Sequence, residues 1–570
     1  MDTSVQVTVA SRVALALQRH GVTHIFAQSL PSAVILAAEA LGIRQVAYRQ
    51  ENMGGAMADG YARCSGKIGV VAAQNGPAAT LLVPPLAEAL KASIPIVALV
   101  QDVERDQADR NAFQELDHLA LFQSCTKWVR KVMVAERIED YIDAAFTAAG
   151  SGRPGPAALL LPADLLRETA PQPAFVRSIT LGTWPLDRPR PRDCLILEAA
   201  SLIAAARSPI IIAGGGVHCS GASGALAALQ QDCGIPVLTT NMGKGAVDEH
   251  HPLSAGVLGS LVGPGSLGRH TAAMVADADV VVLAGTRTNQ NGTDSWRQLS
   301  KGTKIIHIDI DPAAIGRTYE ALRLQGDVRE TLTILRTVLL DCDLNLRSLS
   351  RQSVVNRIAS CWERFEADTR ARALASTSPI RPERVMTELQ ALLTPQTIVV
   401  ADASYSSMWV AGQLRSLSPG MRFVTPRGLA GLGWGLPLAL GAKAARPSDP
   451  VVCIVGDGGF AHSWAELETM VRSDLPVTII VLNNGILGFQ KDAETVKFGT
   501  YTTACHLGDV DHGLIAKACG CPSIRISDPS DLAEHLARGL QGQTPLLLEV
   551  MTDPAAHPPL SLFARMDAAA

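Results

Sequence analysis

The residues best placed to do chemistry together are Gly456, Asp457, Gly458 and Gly459, followed some two dozen positions later by Asn483 and Asn484. An aspartate and an asparagine amide are hard oxygen ligands of the kind Mg2+ takes alongside phosphate oxygens. Glycines let the backbone approach an anion closely, and a helix N-terminus favours phosphate. A lone Gly-Asp-Gly is more often an ordinary turn, so the flanking elements decide the reading. Residues 451–455 are an apolar run with the character of a buried strand, broken by the glycines; residues 477–482 form a second, which delivers Asn483 and Asn484. Between them Ser463-Trp464-Ala465-Glu466 has the form of a capping box, with Trp464, Leu467, Met470 and Val471 at helical spacing. Both candidate ligands then fall at strand C-termini, where open parallel sheets bind their ligands.

The elements that must position such a site come from a chain of 570 residues, long enough for about three domains. Hydrophobic residues make up 47% and charged residues 18%, the composition of a globular protein with much buried surface. A formal net charge of -4 gives no basic footprint for nucleic acid or a membrane surface. No apolar run reaches the roughly 18 residues of a membrane span, and Met1-Asp2-Thr3-Ser4 lacks a basic leader, so a cytoplasmic protein is expected. The eleven cysteines are scattered; Cys519-Gly520-Cys521 is too tight for a redox or zinc motif, and reduced, mostly buried thiols are expected.

In order, residues 1–170 alternate short apolar strands (69–73, 94–100, 157–161) with helical stretches, the pattern of a doubly wound α/β domain. Residues 171–192 are rich in Pro and Arg and read as a linker. A second α/β unit, 190–345, contains a helix at 199–206, a strand at 209–213 followed by Gly214-Gly215-Gly216, and strands at 280–284 and 305–310. A charged helical connector leads to a third unit, 375–553, with a strand at 397–401, and then a tail, 554–570, with several prolines and a polar, alanine-rich end.

The glycine, aspartate and asparagine pattern resembles the thiamine diphosphate signature of the enzyme family that includes acetolactate synthase, pyruvate oxidase, oxalyl-CoA decarboxylase and 2-hydroxyacyl-CoA lyase. The resemblance implies that Asp457 and Asn484 hold an Mg2+ that clamps the cofactor's diphosphate, with a backbone carbonyl near Ile486 as a third ligand. It also makes the three doubly wound parallel-sheet units the family's pyrimidine-binding, central and diphosphate-binding domains.

Other residues acquire roles through that resemblance. On its own Glu51 is one of 54 acidic residues and reads as a solvated carboxylate. Yet Gln50-Glu51-Asn52-Met53-Gly54-Gly55-Ala56-Met57-Ala58-Asp59-Gly60-Tyr61-Ala62-Arg63 looks like the family segment whose Glu hydrogen-bonds the aminopyrimidine; here Arg49-Gln50 replaces the preceding His. A carboxylate suits that task where burial lets it share a proton with the ring nitrogen. Asn75-Gly76-Pro77-Ala78-Ala79-Thr80 resembles a turn near the reaction centre and makes Thr80 a site candidate. Ala112-Phe113-Gln114-Glu115 resembles a segment of acetolactate synthases that places Phe113 and Gln114 over the thiazolium. Lys127 matches a family lysine, or is structural.

In the third unit the segment from Asp402 to Trp409 aligns with one that wraps the diphosphate, so that Tyr405 and Ser406 contribute hydroxyls and backbone amides. The loop from Gly428 to Gly435 resembles one that contacts the aminopyrimidine through Gly431, with Leu432 at the position of a bulky side chain that bends the cofactor; read without the family, Leu432 is equally an ordinary core leucine. Acetolactate synthases carry a Trp where this chain has Ala493. The charged run Lys491, Asp492 and Glu494 offers Glu494 as a general acid or base, or else is a solvated helix face. Residues 26–31, Phe-Ala-Gln-Ser-Leu-Pro, replace a glycine-rich turn of the family, which implies a reshaped substrate pocket. In the central unit Gly214–216, Arg287 and Asp309 resemble a nucleotide site that relatives fill with FAD, with the ADP part of coenzyme A, or not at all.

Taken whole, the resemblance implies a thiamine diphosphate- and Mg2+-dependent enzyme that makes or breaks a C–C bond beside a carbonyl, with the thiazolium as electron sink. Acetolactate synthase-like carboligation of 2-keto acids is the leading reading. The alternatives are a lyase or decarboxylase acting on a CoA ester such as a 2-hydroxyacyl-CoA, a flavin-dependent pyruvate oxidase, and a non-catalytic homologue. A homodimer or homotetramer with sites at the subunit interface is implied, with no nucleic acid or membrane partner.

Overall fold

The computed structural model describes residues 7–170 and 177–567, so residues 1–6, Met1–Ser4 among them, 171–176 and 568–570 lie outside the described residues. Among the described residues there are three six-stranded sheets, and the ladders that join their strands are parallel. The first runs, edge to edge, Arg44–Val46, His24–Phe26, Gly69–Ala73, Ile96–Asp102, Ala157–Pro162, Trp128–Lys131. The third runs Phe423–Val424, Ile398–Ala401, Val451–Gly456, Thr478–Asn483, Leu546–Met551, Ser523–Ile526. Both follow one plan: second strand, first, third, fourth, sixth, fifth. The central sheet differs, running Leu322–Gln325, Lys304–Asp309, Val280–Ala284, Pro209–Ala213, Val237–Thr239, Ser254–Val257. That is the doubly wound order of dinucleotide-binding sheets, with its switch point between Pro209–Ala213 and Val280–Ala284.

Strand composition explains the layers. Gly69–Ala73, Pro209–Ala213 and Val280–Ala284 are buried along their whole length, as parallel strands are when helices cover both faces. The first and third units share a core across one helix pair, Glu51–Ser65 against Gly435–Ala445. Their crossing needs small residues: a Cβ on Gly60 would lie 2.1 Å from the Leu438 carbonyl oxygen, and one on Gly441 1.9 Å from that of Met57. A methyl at either position forces the helices apart, at about 1–3 kcal/mol. Beside the crossing Arg63 pairs with buried Asp59 and donates to the Thr425 carbonyl at 3.1 Å, a tie between the two units.

The connector is one helix, Asn345–Ala373. Residues 177–192 of the linker contain no named helix or strand. The tail does more than end the chain: Leu560 and Phe563 are buried against the third unit's core. All eleven cysteines are free, most of them buried or half-buried and Cys194 exposed. Among the described residues no helix is long and apolar enough to cross a membrane.

The capping box is not formed. The helix after the glycines begins at Glu466, with Ala465 before it and no side-chain cap. Instead the fully buried Glu466 carboxylate accepts from the Arg49 and Gln50 backbone N–H groups at 3.1–3.2 Å and from the Thr469 hydroxyl at 2.7 Å. Two backbone donors before the Glu51 helix outbid the local cap, and they fasten that helix's start to the third unit.

Candidate active site

At the switch point of the third sheet, between Ile398–Ala401 and Val451–Gly456, the strand ends open into a cavity of about 640 Å³. Gly456, Asp457, Gly458, Gly459, Asn484 and Ile486 all line it. Asp457 opens a short helix directly after its strand and accepts from the Gly485 N–H at 2.9 Å, so the two strand ends carrying the candidate ligands are linked. Burial pushes the Asp457 carboxyl up to about 6, with backbone N–H donors acting in opposition. The Asn484 side-chain oxygen accepts from the Ile486 N–H at 3.2 Å, turning the chain so that both border the cavity. A Cβ on Gly459 would stand 2.2 Å from the Asp402 carboxylate, and one on Gly458 2.6 Å from Leu487. Only glycines leave this floor open. A carboxylate and an amide oxygen beside this floor are the kind of donors that suit Mg2+ completed by phosphate oxygens.

Two buried carboxylates shape the loop opposite. Asp402, 1% exposed, accepts from the N–H groups of Gly433, Trp434 and Gly435 at 2.9–3.2 Å. Glu88, from the first unit and 0% exposed, accepts from those of Gly428, Leu429 and Ala430. Burial raises both pKa values, with the N–H donors acting in opposition. Held at both ends, the loop puts Leu432 into the cavity wall at 39% exposure, outside every apolar core cluster among the described residues, so it is not a core leucine. Gly431 lies between them but does not line the cavity.

Ser406 lines the cavity and faces Gly456, whose added Cβ would sit 3.7 Å from its Oγ. Tyr405 lines it too, yet its hydroxyl donates to buried Asp492 at 2.5 Å, so that proton is not offered to a phosphate. Asp492 also pairs with Lys491 at 3.1 Å, and Lys491 donates to the Pro554 carbonyl. Glu494 accepts from Gln490 and from the Thr502 N–H, both at 2.7 Å, and does not line the cavity. Lys491, Asp492 and Glu494 are therefore engaged within the protein, and of this helix Gly488, Phe489 and Gln490 line the cavity.

The first-unit candidates gather elsewhere. Asn75 donates to the carbonyls of Phe113 and Gln114 at 3.2 and 3.1 Å, and the Thr80 N–H bonds the Gly76 carbonyl at 3.0 Å. The Thr80 hydroxyl itself donates to the Pro77 carbonyl. Gly76 has φ +64°, and a Cβ there would be 2.6 Å from Gln114. Gln114 also adopts a positive φ, 58°, and its side-chain oxygen is buried without a partner. Phe113 stands 81% exposed. Glu51 opens a helix that packs against Pro77–Leu81. None of Glu51, Thr80, Phe113 and Gln114 lines the cavity of its own chain. Lys127 donates to the Ser151 carbonyl at 2.9 Å and packs over Gly155; burial pushes its ammonium down to about 8.

Three features were not evident from the sequence: Glu88, Arg427 and a buried His118–Asp102–Lys131 chain behind Gly76. Glu88 had a signal, being an acid on the apolar face of the helix Val83–Ala92. In the central unit Gly215, Gly216, Arg287 and Asp309 line a separate cleft at the switch point, with burial raising Asp309 to about 6.

The glycine-floored cavity thus lies on a doubly wound sheet that is paired with a second sheet of the same plan. Family models for the thiamine pyrophosphate enzyme N-terminal TPP binding domain, central domain and C-terminal TPP binding domain match residues 7–121, 196–335 and 402–550. The chain belongs to this family and is an enzyme of its class. It is 34% identical to a probable acetolactate synthase large subunit of Methanocaldococcus jannaschii, over 90% of this chain and 86% of that one. It is 33% identical to the corresponding protein of Methanococcus aeolicus, over 89% and 85%, and 33% identical to an acetolactate synthase of Arthrospira platensis, over 96% and 94%.

Proposed function

We propose that the protein is a thiamine diphosphate- and Mg2+-dependent, acetolactate synthase-like enzyme that decarboxylates a 2-keto acid and joins the remaining acyl group to a second carbonyl compound. The observation that carries this reading is the convergence of Asp457, Asn484 and Ile486 on one glycine-floored cavity. Asp457, the Asn484 amide and the Ile486 carbonyl hold the cation; Gly458, Gly459 and the 404–406 corner receive the diphosphate. Leu432, fixed through Asp402 and Glu88, buttresses the organic part of the cofactor. When bound, the cofactor supplies the electron sink for the acyl group left by CO2. Glu51 takes up and returns a proton at its carboxylate, and Phe113 and Gln114 exclude water over the reacting carbon.

Glu51, Phe113 and Gln114 do not border the third-unit cavity of their own chain, which supports a site completed by a second copy, in a homodimer or a pair of dimers. The CoA-ester alternative draws on Ala493 in place of the family's Trp and on Glu494 as acid or base; of the two, Glu494 is occupied with Gln490 and Thr502. For the central cleft, Arg287 and Arg153 beside Asp309 suit a nucleotide diphosphate, the part common to FAD and coenzyme A.

The test is turnover of pyruvate with both cofactors present, followed as CO2 and acetolactate. Product formation that stops on chelation and returns with Mg2+ is expected. Release of a carbonyl product from a 2-hydroxyacyl-CoA, with none from pyruvate, would replace this reading with the CoA-ester one.

A further inference from the structure

Arg427 has no carboxylate within ion-pair distance among the described residues, and it lines both the third-unit cavity and the central cleft. It is also the single Lys, Arg or His among the residues that border the third-unit cavity. Its guanidinium contacts the protein through Nη2, which donates to the Ser407 hydroxyl and reaches the Met408 sulfur at 3.6 Å. Its Nε is buried with no acceptor. The opposing charge felt by Arg427, that of Glu88, already accepts three backbone N–H groups and lies 4.0 Å from Arg63. Burial lowers the Arg427 pKa to about 10, which leaves it charged at neutral pH. A half-buried, unpaired guanidinium is unfavourable unless an anion joins it, and its fork of donors fits a carboxylate.

The chemistry decides which carboxylate. The donor's carboxylate departs as neutral CO2, and a cation that stabilises it opposes that departure. The acceptor's carboxylate is kept: the donor's acyl carbon bonds the acceptor's carbonyl carbon, the carbonyl oxygen gains a proton, and the acceptor's carboxylate passes unchanged into the product. We propose that Arg427 anchors the carboxylate of the acceptor 2-keto acid and so selects keto acids over neutral aldehydes as acceptors. Asn291 likewise borders both cavities. This assignment rests on the carboligase reading above.

The experiment compares wild type, R427Q and R427K with pyruvate as donor and either 2-ketobutyrate or propanal as acceptor. Losing a charge-assisted contact is expected to lower the kcat/KM ratio of 2-ketobutyrate over propanal about 10- to 100-fold in R427Q, chiefly through KM for the keto acid, with partial recovery in R427K. An equal loss with both acceptors overturns the proposal, because it marks a structural role. An unchanged ratio, with weakened ADP binding in equilibrium dialysis, overturns it in favour of a nucleotide contact. A calorimetric titration with oxamate, an unreactive carboxylate the size of pyruvate, is independent of turnover. Weaker binding to R427Q supports the anchor even where pyruvate is not a substrate, and equal binding overturns it.

Discussion

The first and third sheets share one strand order but use their switch points oppositely. In the third, the strand ends at Ala401 and Gly456 are followed by a floor of glycines and a cavity of about 640 Å³. In the first, the matching corner after Ala73 is filled: Gly76 abuts Gln114, Asn75 bonds the 113–114 carbonyls, and Phe113 is pushed into solvent. Each corner rests on a buried aspartate at a strand end, Asp402 accepting three backbone N–H groups and Asp102 accepting from His118, Lys131 and the Val103 N–H. One topology therefore yields a receiving half and a projecting half. Topology alone does not assign function; the loops at the switch point do.

The most severe test of that division pairs one variant from each half. Asp457→Ala is expected to weaken Mg2+-dependent cofactor binding at least about a hundredfold, read by tryptophan fluorescence. Glu51→Gln is expected to bind the cofactor normally and to lose about 10²–10⁴ in kcat. If the halves meet across a two-fold axis, mixing the two inactive proteins restores about a quarter of wild-type turnover, because half the dimers then carry one intact site. No recovery after verified subunit exchange would break the comparison.

Glu88 tests whether the receiving half is held in place by the other unit. Glu88→Gln sets an amide NH2 against backbone donors that need an acceptor. A loss of about 2–4 kcal/mol is expected as a lower urea midpoint at unchanged m-value. A larger KM for thiamine diphosphate should accompany it, since Leu432 sits in the freed loop. Normal stability would mean that the 428–430 loop is fixed from within the third unit.

Much of this was legible in the chain. Buried parallel strands announce themselves as continuous apolar runs, and the runs at 209–213 and 280–284 coincide with strands of the structure to the residue. Asp457 and Asn484 stood out because glycines and two strands framed them. What sequence could not show is long-range partnership. The Ser463–Glu466 pattern satisfied a local rule, yet Glu466 serves backbone donors more than 400 positions away. Tyr405 resembled a phosphate ligand until its hydroxyl met Asp492. Arg427 carried no motif at all; its meaning lies in the missing counter-charge.

The central sheet supplies a control on buried carboxylates at switch points. Asp309 is raised from 3.8 to about 6 by burial. With the folded pKa above the unfolded one, its contribution favours folding fully below pH 3.8 and is lost as pH rises through 6. The gap corresponds to about 3 kcal/mol at about 1.36 kcal/mol per pH unit. Asp309→Asn, whose amide oxygen can still accept from the Asp311 N–H, is expected to stabilise the ligand-free protein by up to that amount at pH 8 and by about half near pH 5. A pH-independent difference in urea midpoint would assign the effect to packing instead.

The smallest effect expected is at His118, and it separates positioning from bulk. The Gly76 N–H can only donate, so His118 Nε2, 2.9 Å away, accepts, and the ring proton sits on Nδ1 facing Asp102 at 3.1 Å. The ring thus fixes the corner that carries Thr80 and Gln114. His118→Gln can return an acceptor to the Nε2 position, whereas His118→Asn reaches only the Nδ1 position and leaves the Gly76 N–H unsatisfied. One hydrogen bond of about 1 kcal/mol corresponds to roughly fivefold, so Asn should lower kcat about fivefold and Gln by less than about twofold, at similar KM for pyruvate. The opposite ranking would show that the Asp102 contact, not the Gly76 corner, is what His118 maintains, and the projecting half would then owe its shape to the loop 109–115 itself.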